Sequence, residues 1–427
     1  MMSRFITLML TNIFIAFLLS FSVCAQEISS ESIMDAPTQE ENKLWEGVKK
    51  TWRDDIQFHG FLSQGLFSSS GNNVYGQSKD SVSADSTEMG LNVSYQALNN
   101  LSFAVQGLYR RAGAITGDAG EVTLDFAFFD LNLLNLQEGR IGVRGGRIKN
   151  PWGLYNETRD VAFTHPTIFL PLAYFERSRT LLLAVDGGQL YADYNTSVGD
   201  FSFKFNYGWV NADDKEVLTA IINDPTVSGH FESDPSFVTQ LSYETLGGEY
   251  VFALSYADLN MRYQAENAGD PYTQMGANFN TFMLSAQYNG EKFSFVSEYS
   301  LKWNEITDIR LGVPDSFAVS ERWYVQAGYR FLDNLQATLR YDSAIQNLKD
   351  RYGKGVEAKS GGLIPAHMAF TQDLVFGLRW DITPSWMVRA EYHRVHGAAT
   401  ISLLDNPDLS KVAKDWNIYA LQVAFRF

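Results

Sequence analysis

The chain has 427 residues, 49 acidic against 34 basic, a formal net charge of −15 at pH 7, and 14% aromatic residues (30 Phe, 21 Tyr, 9 Trp). That acidity argues against a nucleic-acid partner, and a single cysteine, Cys24, excludes a disulfide framework or a cysteine-built metal site. After Ala25 no apolar run reaches the roughly 18 residues of a membrane helix, which excludes a helical membrane protein but not one that crosses with alternating strands.

The first element is a leader. Met1 to Arg4 is short and basic, Phe5 to Leu19 is apolar, and Val23 and Ala25 place small residues before a cleavage point at Gln26. The layout predicts a secretory signal peptide over 1–25. An uncleaved anchor would need about 20 apolar residues, and a lipoprotein reading of Cys24 lacks the small residue expected before it. Residues 26–55 are a charged periplasmic segment. Leu44, Trp45, Val48 and Trp52 suit either a short amphipathic helix or a tether, too short to plug a barrel.

From residue 56 onward the period is two. Met89, Leu91, Val93 and Tyr95 alternate with Glu88, Asn92, Ser94 and Gln96. Phe201, Phe203, Phe205, Tyr207 and Trp209 alternate with Ser202, Lys204, Asn206 and Gly208. Such alternation marks a sheet with one apolar face. About sixteen segments follow the pattern, near 56–67, 87–97, 101–110, 121–133, 139–149, 188–195, 200–210, 236–246, 249–259, 278–289, 292–304, 320–331, 334–344, 371–382, 385–396 and 416–427. Short turns such as 98–100, 246–248 and 332–334 alternate with long loops at 68–86, 150–187, 211–235, 260–277, 305–319, 345–370 and 397–415. The expected fold is all-β: a transmembrane antiparallel barrel of about 16 strands over 56–427, with the short turns on the periplasmic side. A soluble sandwich or propeller would bury Val, Ile and Leu. It would not repeat Tyr109, Trp209, Trp303, Trp323, Trp380 and Trp386 near strand ends, where aromatic girdles sit.

The last segment ends on alternating Tyr419, Leu421, Val423, Phe425 and Phe427. It reads as a closing strand paired with the first, "IQFHGFLSQGLF". It also resembles the C-terminal signature of Gram-negative outer-membrane proteins. That resemblance implies outer-membrane localisation and recognition by the barrel-assembly machinery.

Barrels of this size leave an aqueous channel, so selectivity is sought in whatever narrows it. The third long loop is too apolar to stay in water, with Trp152, Phe163, Ile168, Phe169, Leu170, Tyr174 and Phe175. We expect it to fold into the lumen, an outer cap or a protomer contact being the alternatives. An inserted third loop resembles the sixteen-stranded trimeric porins. Gly146, Lys149 and Pro151 in "GGRIKNPWGLYNETRD" are similar to the stretch entering that loop in the phosphate-selective porin family. The resemblance implies a homotrimeric channel.

Around the loop, Arg140, Arg144, Arg147, Lys149, Arg159, Arg177 and Arg179 outnumber Glu157, Asp160 and Glu176. Alternation adds Arg110, Arg340, Arg379 and Arg389 to the inner wall, with Asp342 and Glu391 opposing. A basic wall facing loop carboxylates sets a transverse field and a mild anion preference. The competing reading is that these arginines merely pin the loop. Trp152, Tyr155, Phe163 and Tyr174 also suit a stacking path for sugars. Acidic loops with Asp213, Asp214, Glu216, Asp224, Glu232 and Asp234 suit either divalent-cation bridges to lipopolysaccharide or a solvated surface. No G-x-S-x-G or H-E-x-x-H occurs, and His393 and His396 fall on opposite faces of one strand, so no enzyme, metal site or cofactor is expected. The reading is a passive channel for small hydrophilic solutes in outer-membrane lipid. A sugar- or phosphate-selective channel and a non-conducting receptor or adhesin barrel remain alternatives.

Overall fold

The computed structural model describes residues 56–222, 227–267, 274–307 and 315–427. The leader 1–25, the segment 26–55 and Asp224 lie outside the described residues. Sixteen strands follow in order: β1 (Ile56–Ser69), β2 (Ser83–Leu98), β3 (Leu101–Ala112), β4 (Glu121–Leu136), β5 (Gly139–Lys149), β6 (Ala184–Thr196), β7 (Gly199–Val210), β8 (His230–Thr245), β9 (Tyr250–Gln264), β10 (Gln274–Asn289), β11 (Phe293–Thr307), β12 (Ser316–Leu332), β13 (Leu335–Ile345), β14 (Phe370–Asp381), β15 (Trp386–Gly397) and β16 (Asp415–Arg426). Each pairs antiparallel with its sequence neighbours, and β1 pairs with β16, so the sheet closes. Closure leaves no unpaired edge.

Register explains the chain end. Leu62 faces Phe425, Leu66 faces Leu421, and Gly60 and Phe427 exchange two backbone hydrogen bonds of 3.2 and 3.0 Å. Tyr419, Leu421, Val423 and Phe427 are exposed on the outer surface, beside Phe58, Leu62 and Leu66, while Trp416, Ile418, Ala420 and Ala424 are buried on the inner side. The same division holds along β12, where Val325 and Phe331 are exposed and Arg322, Tyr324 and Gln326 buried.

The strands outrun their expected limits on the long-loop side. β2, β8, β10 and β12 begin at Ser83, His230, Gln274 and Ser316 rather than near 87, 236, 278 and 320. At the tops of β8 and β9 the outer face turns polar while Phe231 and Tyr263 face inward, so the outward apolar row ends although the backbone ladder continues: Asp234 of β8 pairs with Arg262 of β9 at 2.7 Å. Among the described residues, apolar clusters join the loops to the inward rows of the strands, and two are large. One joins Trp152, Tyr174, Phe175 and Leu181 of the third long loop to Phe231, Met261, Met283 and Tyr324. The other joins Phe67, Val395, Trp416 and Ile418 to Ile401 of the last loop, with the half-buried Phe169 of the third long loop packed against it.

Candidate functional site at the third long loop

The loop between β5 and β6 begins with a tight turn that only glycine fits. Gly153 has φ +59°, and a Cβ there would lie 2.5 Å from the Tyr174 hydroxyl and 2.7 Å from Glu298. This turn brings the backbone onto Glu298, a β11 carboxylate only 1% exposed. Leu154 N–H donates to Glu298 (3.0 Å), as do the hydroxyls of Tyr174 (2.7 Å), Tyr324 (2.8 Å) and Ser285 (2.6 Å). At the loop base, the Asn156 amide donates to the carbonyls of Asn150 (2.9 Å) and Leu182 (2.7 Å), joining its two ends.

The middle of the loop lies on β12 to β15. Ile168 N–H donates to Glu391 (2.5 Å) and Leu172 N–H to Asp342 (3.0 Å). Arg340 donates to Thr167 Oγ1 (2.6 Å) and the Phe169 carbonyl (3.0 Å), Arg389 to the carbonyls of Thr167 (2.6 Å) and His165 (2.9 Å), and Arg379 to the Phe163 carbonyl (3.2 Å). Arg340 and Arg389, expected among the selectivity residues, are each 1% exposed and engaged with loop oxygens. The physical reason is that a strandless loop crossing a wall has bare carbonyls, and guanidinium groups carry enough donors to satisfy them.

The other flank of the loop faces β2 to β5, and here side chains meet side chains. Arg110 of β3 pairs with Glu176 (2.7 Å) and Glu88 (3.4 Å), and Arg159 also binds Glu176 (2.5 Å). Lys149 pairs with Asp125 (2.5 Å) and Asp160 (2.6 Å), and Arg179 pairs with Asp160 and reaches Glu88 at 3.6 Å. Arg110, Lys149, Arg159 and Arg179 thus face Glu88, Asp125, Asp160 and Glu176, equal numbers of each sign. Burial alone would raise the Asp160 carboxyl, but Arg179 and Lys149 hold it well below the usual carboxylate range. Burial likewise opposes ionisation of Glu176, and Arg159 and Arg110 override it. Burial and then Arg389 push His165 down to about 3, leaving it neutral.

The remaining expected residues lie apart from this cluster. Arg144 binds Asp130 (2.7 Å) and Arg140 binds Asp193 (2.7 Å), both toward the short-turn end of the inner wall. Glu157 pairs with Lys204 of β7 at 2.7 Å. Arg147 shares a register row with Ala127, Asp186 and the outward, exposed Trp209, so it belongs to the outer surface, where it pairs with Asp186 at 2.9 Å. Gly146 has φ +128° in β5, and a Cβ there would strike the Ala127 carbonyl of β4. Trp152, Tyr155, Phe163 and Tyr174 are all buried in packing, so they present no stacking path.

Arg177 pairs with Glu216 at 3.1 Å on the helix Lys215–Ile222. Glu216, read from sequence as an acid of an outer loop, is buried and also accepts from Ser402 (2.8 Å). Burial pushes its carboxyl up to about 7, with Arg177 opposing. Glu298, Glu88, Arg322 and Lys302 were missed. Each is a charge on the inner row of an ordinary alternating strand, Glu298 and Lys302 sharing the row of β11, and only knowledge of what crosses that row singles it out. A cavity of about 150 Å³ opens between the loop and β12 to β16, and one of about 50 Å³ adjoins Arg110, Glu176 and Arg179.

Compared with solved structures, the chain is similar to the anion-selective porin from Comamonas acidovorans (10% identity, 87% of this chain and 99% of that one, TM-score 0.55). It is also similar to OprB of Pseudomonas putida (12% identity, 90% and 97% covered, TM-score 0.55) and to the trimer form of OmpT, an outer membrane protein of Vibrio cholerae (12% identity, 87% and 99% covered, TM-score 0.51). At such identities the likeness is one of fold: the closed sixteen-stranded barrel of outer-membrane porins. No family model matches the chain, and no curated protein matches it.

Proposed function

We propose that this chain is an outer-membrane porin, a passive water-filled channel for small hydrophilic solutes. In this reading the leader 1–25 directs export, the barrel assembles through its C-terminal strand, and three copies associate in lipopolysaccharide-bearing membrane. A trimer form of a structural neighbour supports the last point. No covalent step is assigned to it.

One observation carries the reading: the third long loop is bonded along one flank to the inner wall and lined along the other by paired charges. A loop held against the inner wall narrows a channel. The residues we assign to the constriction are Arg110, Lys149, Arg159, Asp160, Arg177 and Arg179, and we assign a mild anion preference. Support for that sign comes from Arg177 and Arg322, each of which keeps a buried nitrogen without a hydrogen bond among the described residues. Planar-bilayer conductance of the refolded protein tests the proposal. Steps in threes with an anion-side reversal potential in a KCl gradient are expected, a cation-side potential defeats the charge assignment, and no conductance favours a receptor or adhesin barrel.

A further inference from the structure

We infer that the larger cavity is a docking site for a compact organic monoanion, a carboxylate carried on a ring-sized apolar body. Its transport role rests on the channel reading above, whereas binding stands apart from it.

The anionic end is defined by cations lacking a full set of partners. Arg322 is 8% exposed, donates through Nη1 to the Leu172 carbonyl (2.8 Å), and leaves Nε buried without a hydrogen bond among the described residues. Arg177 likewise leaves Nη2 unbonded. Both residues line the cavity. Lys302 lies behind them. Its Nζ is 4.7 Å from the ring centres of Phe175 and Phe279, and the Arg322 guanidinium lies 4.1 Å from the Phe175 ring centre. Against Arg177, Arg322 and Lys302 the described residues set one carboxylate in ion-pair contact, Glu216. The carboxylates that do reach the cavity have other donors: Glu176 has Arg110 and Arg159, Asp373 has His393 (2.7 Å), and Asp405 accepts from Gly76 and Ala114 N–H groups. The charge-balanced network across the loop therefore contrasts with a local positive excess here. An unmatched buried donor on a cation is costly, and a carboxylate accepts from guanidinium groups with matched geometry.

Backbone strain marks the same place. Phe175 and Tyr75 are the non-glycine residues with positive φ among those described, +50° and +49°. Such strain in bulky residues persists where surrounding structure holds it, and clusters at binding sites. Phe175 carries two cations on its ring, and Tyr75 lines the cavity, stacked on Phe169 with centres 5.8 Å apart.

The rest of the wall selects the body of the ligand. Phe169, Leu170, Val395, Ile401, Trp416 and Ile418 line it. About 150 Å³ bounded by such side chains holds a benzene-sized group. A phosphate dianion would lose hydration against this wall with no matching gain, while a ring buries apolar surface on it.

The test is calorimetric titration of the refolded full chain in micelles with sodium benzoate, acetate, inorganic phosphate and benzyl alcohol. Benzoate is expected to bind, with acetate, phosphate and benzyl alcohol each at least about tenfold weaker. Arg322→Gln and Arg177→Gln should each weaken benzoate about tenfold while Arg322→Lys recovers part of the loss. Retained heat-modifiable gel mobility verifies that each variant is folded. Absence of benzoate binding, equal binding of benzyl alcohol or phosphate, or unchanged benzoate affinity in both folded glutamine variants overturns the site. Benzoate binding to a protein that conducts no current upholds the site and defeats the channel reading; steady conductance without benzoate binding does the reverse.

Discussion

The two flanks of the third long loop are equally rich in charge and use it differently. Toward β11 to β15, Glu298, Asp342 and Glu391 accept from backbone N–H groups and Arg340 and Arg389 donate to backbone carbonyls. Toward β2 to β5, Arg110, Lys149, Arg159 and Arg179 meet carboxylates instead. A side chain bonded to backbone fixes where the chain runs. A side chain bonded to another side chain ties the loop to the wall through charge, and substituting it changes the charge as well as the tie. On the reading proposed above, the first flank is an anchor and the second sets the charge that a solute meets.

The comparison breaks most visibly at Glu298. Glu298→Ala removes the shared acceptor of two tyrosine hydroxyls, a serine hydroxyl and Leu154 N–H. Each hydroxyl left without this acceptor costs about 1–3 kcal/mol, while Leu154 N–H keeps the Tyr174 hydroxyl at 2.7 Å. Chemical-denaturation midpoints in lipid should fall, and single-channel conductance should rise as the loop leaves the wall. Unchanged conductance in the folded variant would mean that the remaining anchors suffice.

Asp160→Asn should sharpen the contrast on the other flank. Asp160 joins Lys149 to Arg179, and its loss leaves four cations facing three carboxylates in that network. The expected cost is about 2 kcal/mol, since Lys149 keeps Asp125 and Arg179 keeps Glu88. The reversal potential in a KCl gradient should move toward the anion side with conductance little changed. The depressed Asp160 carboxyl contributes stability above the ordinary Asp range and loses it only as pH falls through its lowered value, so Asp160 stays charged throughout the neutral range.

What could be read from sequence follows from this division. The strands were legible because one surface is apolar: Leu421, Val423 and Phe427 repeat at period two whatever lies inside the barrel. The extended tops of β8 and β9 were not, because Asp234 and Arg262 make the outer face polar and the apolar side chains, Phe231 and Tyr263, turn inward instead. The arginines were visible, but their tasks were not. Arg340 and Arg179 look alike in sequence, and each meets a carboxylate, but Arg340 also donates to the Phe169 carbonyl of the loop. Arg147 was misassigned because basic residues were counted near the loop, and the register row that carries it to the outward Trp209 appears only once the strands are paired.

A smaller effect joins the flanks through pH. Glu216 faces Arg177 from the loop, Ser402 from the last loop and Asp214 on its own segment. Its raised carboxyl makes a stability contribution that is complete below the ordinary Glu value and lost as pH rises through about 7. As pH falls from 8 to 6 the group takes up a proton, and Arg177 loses its anionic partner. His165, held near 3, does not titrate in that window. Anion preference should therefore rise over this interval, and Glu216→Gln should show the low-pH value throughout. A glutamine variant that keeps the wild-type pH profile would place the titrating group elsewhere.

The smallest effect belongs to Arg147, and its smallness is informative. Asp186, its partner, is 56% exposed, and exposed pairs are worth at most about 1 kcal/mol. Its register row ends at Trp209, which faces outward, so the charge is separated from the interior by the sheet itself. Arg147→Gln should then change the denaturation midpoint by less than about 0.5 kcal/mol and leave the reversal potential where it was. Lys149, which ends the same strand with its ammonium on buried Asp125 and Asp160, makes the control. Lys149→Gln removes a buried cation from the network and should move the potential toward the cation side. Equal shifts from the two substitutions would mean that proximity in sequence, rather than the partners each side chain meets, decides which basic residues the permeating ion feels.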